Sequence, residues 1–74
     1  MQSDQFVKIV MAEILKSPDA KKEDNSFFRS SIRAIGRKFE SRSIDVPGAL
    51  AEIERLLPWQ LSRDIKKGID KTLR

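Results

Sequence analysis

Phe27-Phe-Arg-Ser-Ser-Ile-Arg-Ala-Ile-Gly-Arg-Lys-Phe-Glu-Ser-Arg42 carries apolar side chains at Phe28, Ile32, Ile35 and Phe39. Spacings of four, three and four place these side chains within roughly 60° of one another on a 3.6-residue wheel. A half-buried strand would need strict alternation instead, so the stretch predicts an amphipathic helix over about 26–41, capped by Asn25 or Ser26. Gly36 interrupts it, where glycine costs about 1 kcal/mol relative to alanine. A neighbouring helix approaching closely at that point accounts for the residue.

On the N-terminal side, Phe6, Val10 and Ile14 form one row and Val7, Met11 and Leu15 a second, with Ile9 widening the face. This predicts a first helix over about 4–16, with Ser3 as its N-cap and Asp4 near the positive end of its dipole. That helix either closes the bundle or pairs with another subunit. Residues 17–25 have no apolar period and contain Pro18, which reads as a connecting loop. On the C-terminal side, Asp45 or Val46 caps a third helix over about 47–57, with Pro47 in its first turn and Ala49, Leu50, Ile53, Leu56 and Leu57 on its apolar face. Pro58 ends or kinks that helix and suits the start of a fourth over about 58–73, where Leu61, Ile65, Ile69 and Leu73 recur every fourth residue. The fold class that follows is all-α: a small single-domain bundle of three to four short helices spanning 1–74, the last two joined at a Pro58 kink or turn. Its expected core is Phe28, Ile32, Ile35, Phe39, Ile53, Leu57, Ile65 and Ile69.

Composition excludes several kinds of chemistry. At 74 residues a single core is only just sufficient and self-association is a common supplement, so a homodimer is one expectation. Without cysteine there is no disulfide, thiolate nucleophile or thiolate metal ligand; without histidine the usual zinc sets and the commonest general base are missing; without tyrosine a further proton donor is lost. No metal site and no cofactor is expected. The most apolar stretch, Phe6 to Leu15, is broken by Lys8 and Glu13, far from the roughly 18–20 apolar residues that span a bilayer. The N-terminus carries Asp4 and lacks both a basic region and a small-residue cleavage site, so a secretory signal is not expected and cytoplasmic residence is the default.

Segment 27–42 holds five basic residues and one acidic one, a net charge equal to the +4 of the whole chain. On the wheel Arg29, Arg33 and Arg37 fall within roughly 80° of each other and about 130° from the apolar stripe, which turns them outward as a ridge. Their guanidinium groups repeat about every 6 Å, resembling the spacing of phosphates along a strand, and arginine forks match phosphate oxygens bidentately. Lys38 and Arg42 extend the field, opposed within the helix only by Glu40. The bland alternative is a solvated face whose last-turn cations complement the helix dipole, although Arg29, in the first turn, has no such role.

A secondary basic face, Arg63, Lys67, Lys71 and Arg74, lies opposite the apolar row of the fourth helix. There Asp70 is spaced to pair with Lys66 and Arg74, which reads as self-paired solvation. Trp59 and Phe27 are either core or a protein interface. Gln60 and Arg63 are types that read base edges, but the turn between the last two periods lacks the glycine-containing form of a helix-turn-helix. Ser62 with Lys66, and Glu52 with Glu54, form no catalytic set, because nothing supplies an oxyanion donor or shifts the lysine, and the two carboxylates point to different sides of a helix.

The chain therefore reads as a small basic non-enzymatic protein. The first functional expectation is an accessory or regulatory nucleic-acid-binding protein that contacts phosphates through Arg29, Arg33 and Arg37, assisted by Lys38 and Arg42. The alternative is an adaptor or inhibitor that binds an acidic or apolar surface of a larger protein partner, with a homodimer as one form.

Overall fold

The computed structural model describes residues 2–22 and 26–74, with side chains at 2–20 and 28–74. The cap expected at Asn25 or from the Ser26 side chain, and the Phe27 side chain, lie outside the described residues. Among the described residues four α-helices follow in order, α1 (Ser3–Ile14), α2 (Ser26–Glu40), α3 (Val46–Leu56) and α4 (Arg63–Leu73), and no strand occurs. The chain is a small all-α bundle.

The helix boundaries have local causes. The N-cap of α1 is Gln2, which makes no side-chain capping bond; the Ser3 backbone N–H instead donates to Glu40 Oε2 at 2.9 Å. The carboxylate that caps α1 therefore comes from the end of α2, and the cap expected of Ser3 is replaced by this tertiary contact. At the other end, Lys16 N–H donates to Glu13 O and Ser17 N–H to Ile14 O. These i→i+3 bonds tighten the last turn ahead of Pro18, so α1 stops at Ile14 rather than Lys16. Pro18–Lys22 then forms a 3₁₀ turn where a loop was expected, with Ala20 fully buried.

Asp45 caps α3 as expected, its Oδ1 accepting from Gly48 N–H at 2.9 Å, with Pro47 in the first turn. The fourth helix begins at Arg63, not at Pro58. Leu57 is extended (φ −82°, ψ 138°), and Ser62 is the true N-cap, its Oγ accepting from Ile65 N–H at 3.3 Å. Residues 57–62 form a non-helical connection held to the core by Leu57 and Leu61, both buried, and by half-buried Trp59.

Each helix packs on two neighbours: α1 on α2 and α4, α3 on α2 and α4. The core is Phe6, Val10 and Ile14 of α1, Phe28 and Ile32 of α2, Ile53 of α3 and Ile69 of α4, all essentially without solvent exposure, with Ile35, Leu57 and Ile65 just outside this shell and Phe39 half-buried. So α1 closes the bundle within its own chain. The Cα radius of gyration is 11.1 Å, against about 11.3 Å for a compact chain of this length.

The tightest helix pair is α1 with α2. A Cβ placed on Gly36 would lie 2.9 Å from Phe6 Cδ1 and within 3.3 Å of Phe6 Cγ and Cβ. Three atoms of a fully buried side chain, Cβ among them, cannot all be relieved by rotating one bond. Gly68 of α4 is close only to the carboxylate end of Glu13 (2.6 Å to Oε2), which can swing away. The two glycines should respond to alanine with opposite signs. Gly36→Ala is expected to destabilise by about 1–2 kcal/mol despite its helix propensity, and Gly68→Ala to stabilise by about 0.5–1 kcal/mol, both measured by urea or thermal unfolding followed by circular dichroism.

Candidate nucleic-acid interface

The structure divides the predicted basic ridge. Arg29, Arg33, Arg37, Lys38 and Arg42 are all exposed, but they do not share one environment. Lys38 turns toward α3 and pairs with Glu52 at 2.9 Å, so it belongs to the α2–α3 seam. Arg33 reaches Asp4 of α1 at 3.4 Å, with the Arg33 side chain about half exposed and that of Asp4 largely in water; such a pair is worth about 0–1 kcal/mol and is readily exchanged. Glu40, expected to oppose the ridge, is occupied by the amide of Ser3. The acids that oppose the α2 cations therefore come from α1 and α3 rather than from α2 itself. Arg29 and Arg37 have no acidic partner among the described residues.

Arg29 and Arg33 overhang a groove of about 540 Å³ between α1 and α2, lined on the α1 side by Asp4, Val7, Lys8, Met11, Ala12 and Leu15. The ridge thus leans toward α1 at its start and turns outward by Arg37, following the drift of a four-residue repeat around the helix. Lys8, exposed and across the groove, joins this positive surface; in the sequence it stands only as a break in an apolar run, and no local spacing relates it to α2. Leu15, just past the end of α1, is 44% exposed, the one large hydrophobic so exposed among the described residues.

Arg42 does not continue the helix. It has φ 63°, in the left-handed region, and Ser43 N–H donates to Lys38 O at 2.8 Å while Arg42 N–H donates to Phe39 O at 3.1 Å. This is the Schellman termination, at whose left-handed position glycine is the usual residue. Placing an arginine there costs the backbone about 1–2 kcal/mol, and carries its charge to the α2–α3 corner beside Asp45 and Glu40.

On α4, Asp70 accepts from Arg74 Nε at 3.0 Å through both oxygens. That hydrogen bond, and then the charge of the Asp70 carboxylate, raise the Arg74 guanidinium further above its ordinary range. The expected pairing of Asp70 with Lys66 does not occur: Lys66 pairs with Glu54 of α3 at 3.3 Å. Arg63, Lys67 and Lys71 are exposed and, like Arg29, have no acidic partner among the described residues. Because α2 and α4 occupy opposite corners of the bundle, their basic faces do not merge into the continuous patch that two basic helices would otherwise form.

The remaining candidates have structural surroundings. Trp59 packs edge-on against Phe28 (centroids 5.5 Å apart, planes at 78°) and is half-buried, so much of its ring belongs to the core; its Nε1 is buried without an acceptor. Ser62 Oγ caps α4 and Lys66 is paired across helices, so neither is arranged toward the other. Glu52 and Glu54 go to Lys38 and Lys66. Gln60 sits in the connection ahead of the cap, not in the first turn of a helix.

No protein-family model, no curated protein and no solved structure matches this chain. Its residues alone therefore carry any functional reading.

Arg42 offers a direct check on its position. Arg42→Gly removes the left-handed penalty but loosens the unfolded chain, and the balance is expected to stabilise the protein by about 0.5–1 kcal/mol. Unfolding of the variant in urea measures it.

Proposed function

We propose that this is a small non-enzymatic, cytoplasmic accessory or regulatory protein that binds nucleic acid by its phosphates, on the face of α2. The observation that carries this reading is the set of uncompensated cations there: Arg29 and Arg37 are exposed and lack an acidic partner among the described residues, and Lys8 lies across the groove from Arg29 and Arg33. Among the described residues Asp4 is the single acid on that groove. Arg33 can exchange its solvent-exposed bond to Asp4 for a phosphate, because the pair is weak and a guanidinium binds a phosphate by two parallel bonds. Among the described residues nothing on this face is arranged to read base edges, so binding is expected to be insensitive to sequence and steeply dependent on salt.

The competing adaptor reading uses the same groove. Val7, Met11 and Leu15 give it an apolar floor, and an acidic amphipathic segment would complement its rim. The two readings separate on a simple titration. Arg37→Glu lies on the outward part of the ridge, and Arg55→Glu changes net charge equally on exposed α3 surface. Fluorescence anisotropy with a labelled duplex and a labelled single strand of random sequence, at about 50–200 mM salt, is expected to show at least tenfold weaker binding and a salt slope lowered by about one for Arg37→Glu. Arg55→Glu is expected to stay within about twofold. Equal losses would reduce the effect to net charge, and absence of binding by the unmodified protein would leave the acidic-partner reading of the groove.

A further inference from the structure

We infer that α4 carries a second phosphate-binding face and that the protein bridges two nucleic-acid segments, one on α2 and one on α4. This rests on the phosphate-binding reading of α2 but comes from different residues. The sequence pattern gives α4 its own compensation through Asp64 and Asp70. In the structure Asp70 is committed to Arg74 by both oxygens, and Lys66 is committed to Glu54 of α3. Arg63, Lys67 and Lys71 remain, spaced by four along the helix and exposed. Ile65, Ile69 and Leu73 are buried and fix the rotation of α4, which aims those three cations directly away from the core.

The acids near this row stand to its side. Asp64 lies on the α1 flank of α4, around a shallow cleft with Glu13, Lys16 and Gly68, and Glu13 is itself paired with Lys16 at 3.1 Å. Asp70 is on the other flank, held by Arg74. The row therefore presents Arg63, Lys67 and Lys71 at a rise of about 6 Å per step, the same repeat that α2 offers.

Position on the bundle decides what two such rows can do. On adjacent helices they would form one broad patch for one ligand. Here α2 and α4 are at opposite corners, each separated from the other by α1 on one side and α3 on the other. The narrowest extent of the Cα trace is 19 Å, more than twice the screening length of about 8 Å at physiological salt. Two polyanions held on the two faces are thus screened from each other, while each meets its own row of cations. The same screening makes the faces independent, and α2, which has Lys8 across its groove, is the stronger; removing the α4 face should leave the α2 affinity intact, while removing α2 leaves only the weaker α4 contact.

The test uses the full chain and two 30-base-pair duplexes, one immobilised on beads and one fluorescently labelled. Unmodified protein is expected to co-capture the labelled duplex, rising with protein concentration and then falling as excess protein saturates each duplex separately. The double variant Lys67→Glu, Lys71→Glu is expected to keep single-duplex affinity within about twofold by anisotropy while losing co-capture at least tenfold. Circular dichroism of this variant checks that exposed reversals leave the fold intact, and Lys67→Gln, Lys71→Gln provides a milder second pair. Co-capture unaffected by the α4 variants would overturn the inference, as would tight single-duplex binding with no co-capture at any ratio. Failure of the unmodified protein to bind any duplex would instead remove the phosphate reading of α2, a result distinguishable because anisotropy alone reveals it.

Discussion

The seat of Phe6 on Gly36 is the contact on which the rest of the molecule depends. Phe6 is fully buried, its ring centroid lies 5.4 Å from that of Phe39, and the missing side chain at Gly36 lets the two helices approach at that level. Once α1 is fixed there, its N-terminus stands over the last turn of α2, and Glu40 can cap Ser3 while Asp4 meets Arg33. The groove between the helices follows from the same seat. With the backbones drawn together at Phe6, side chains nearer the other end of α1, from Val7 to Leu15, line an opening beneath Arg29 and Arg33. A glycine that weakens an isolated helix by about 1 kcal/mol is thereby offset by burial of an aromatic ring, worth several times more.

Much of this arrangement is legible in the chain because it rests on period and on caps. The spacing of Phe28, Ile32, Ile35 and Phe39 fixes both the existence of α2 and its orientation, and Asp45 followed by Pro47 marks the start of α3. What escapes the periodic reading is the start of α4. Leu61 is four residues before Ile65 and so extends the apolar row arithmetically, yet it lies ahead of the cap and is buried from a non-helical segment. Ser62 followed by Asp64 was the available signal, since a hydroxyl cap and an acid in the first turn both favour a helix N-terminus. Apolar period alone does not distinguish a helical residue from one that merely falls at helical spacing.

Charge pairing was legible only within a helix. A separation of four pairs Asp70 with Arg74, and that pair forms, whereas the equal separation of Asp70 from Lys66 does not give a pair. The pairs Arg33 with Asp4, Lys38 with Glu52 and Lys66 with Glu54 cross between helices and depend on packing that no local spacing encodes. These pairs decide which cations remain. They remove Lys38 and Lys66 from the unpaired positive surface and leave Lys8, Arg29, Arg37, Arg42, Arg55, Arg63, Lys67 and Lys71 without an acidic partner among the described residues, a division different from the one that net charge per helix suggests.

That division also separates two roles for basic residues on one small surface. Lys38 sits beside half-buried Glu52, one of whose oxygens is shielded and takes no bond, so the lysine offsets a carboxylate that folding draws partly out of water. Its charge contributes to the α2–α3 contact and is unavailable to a ligand without exposing that cost. Arg29 and Arg37 carry no such obligation, and Arg42 holds its charge at a backbone position where glycine would be less strained. The cations with the fewest structural duties are therefore those that face solvent at the ends and outer edge of α2. On α4 the same reasoning sets Arg63, Lys67 and Lys71 apart from Lys66 and Arg74, which are engaged by Glu54 and Asp70.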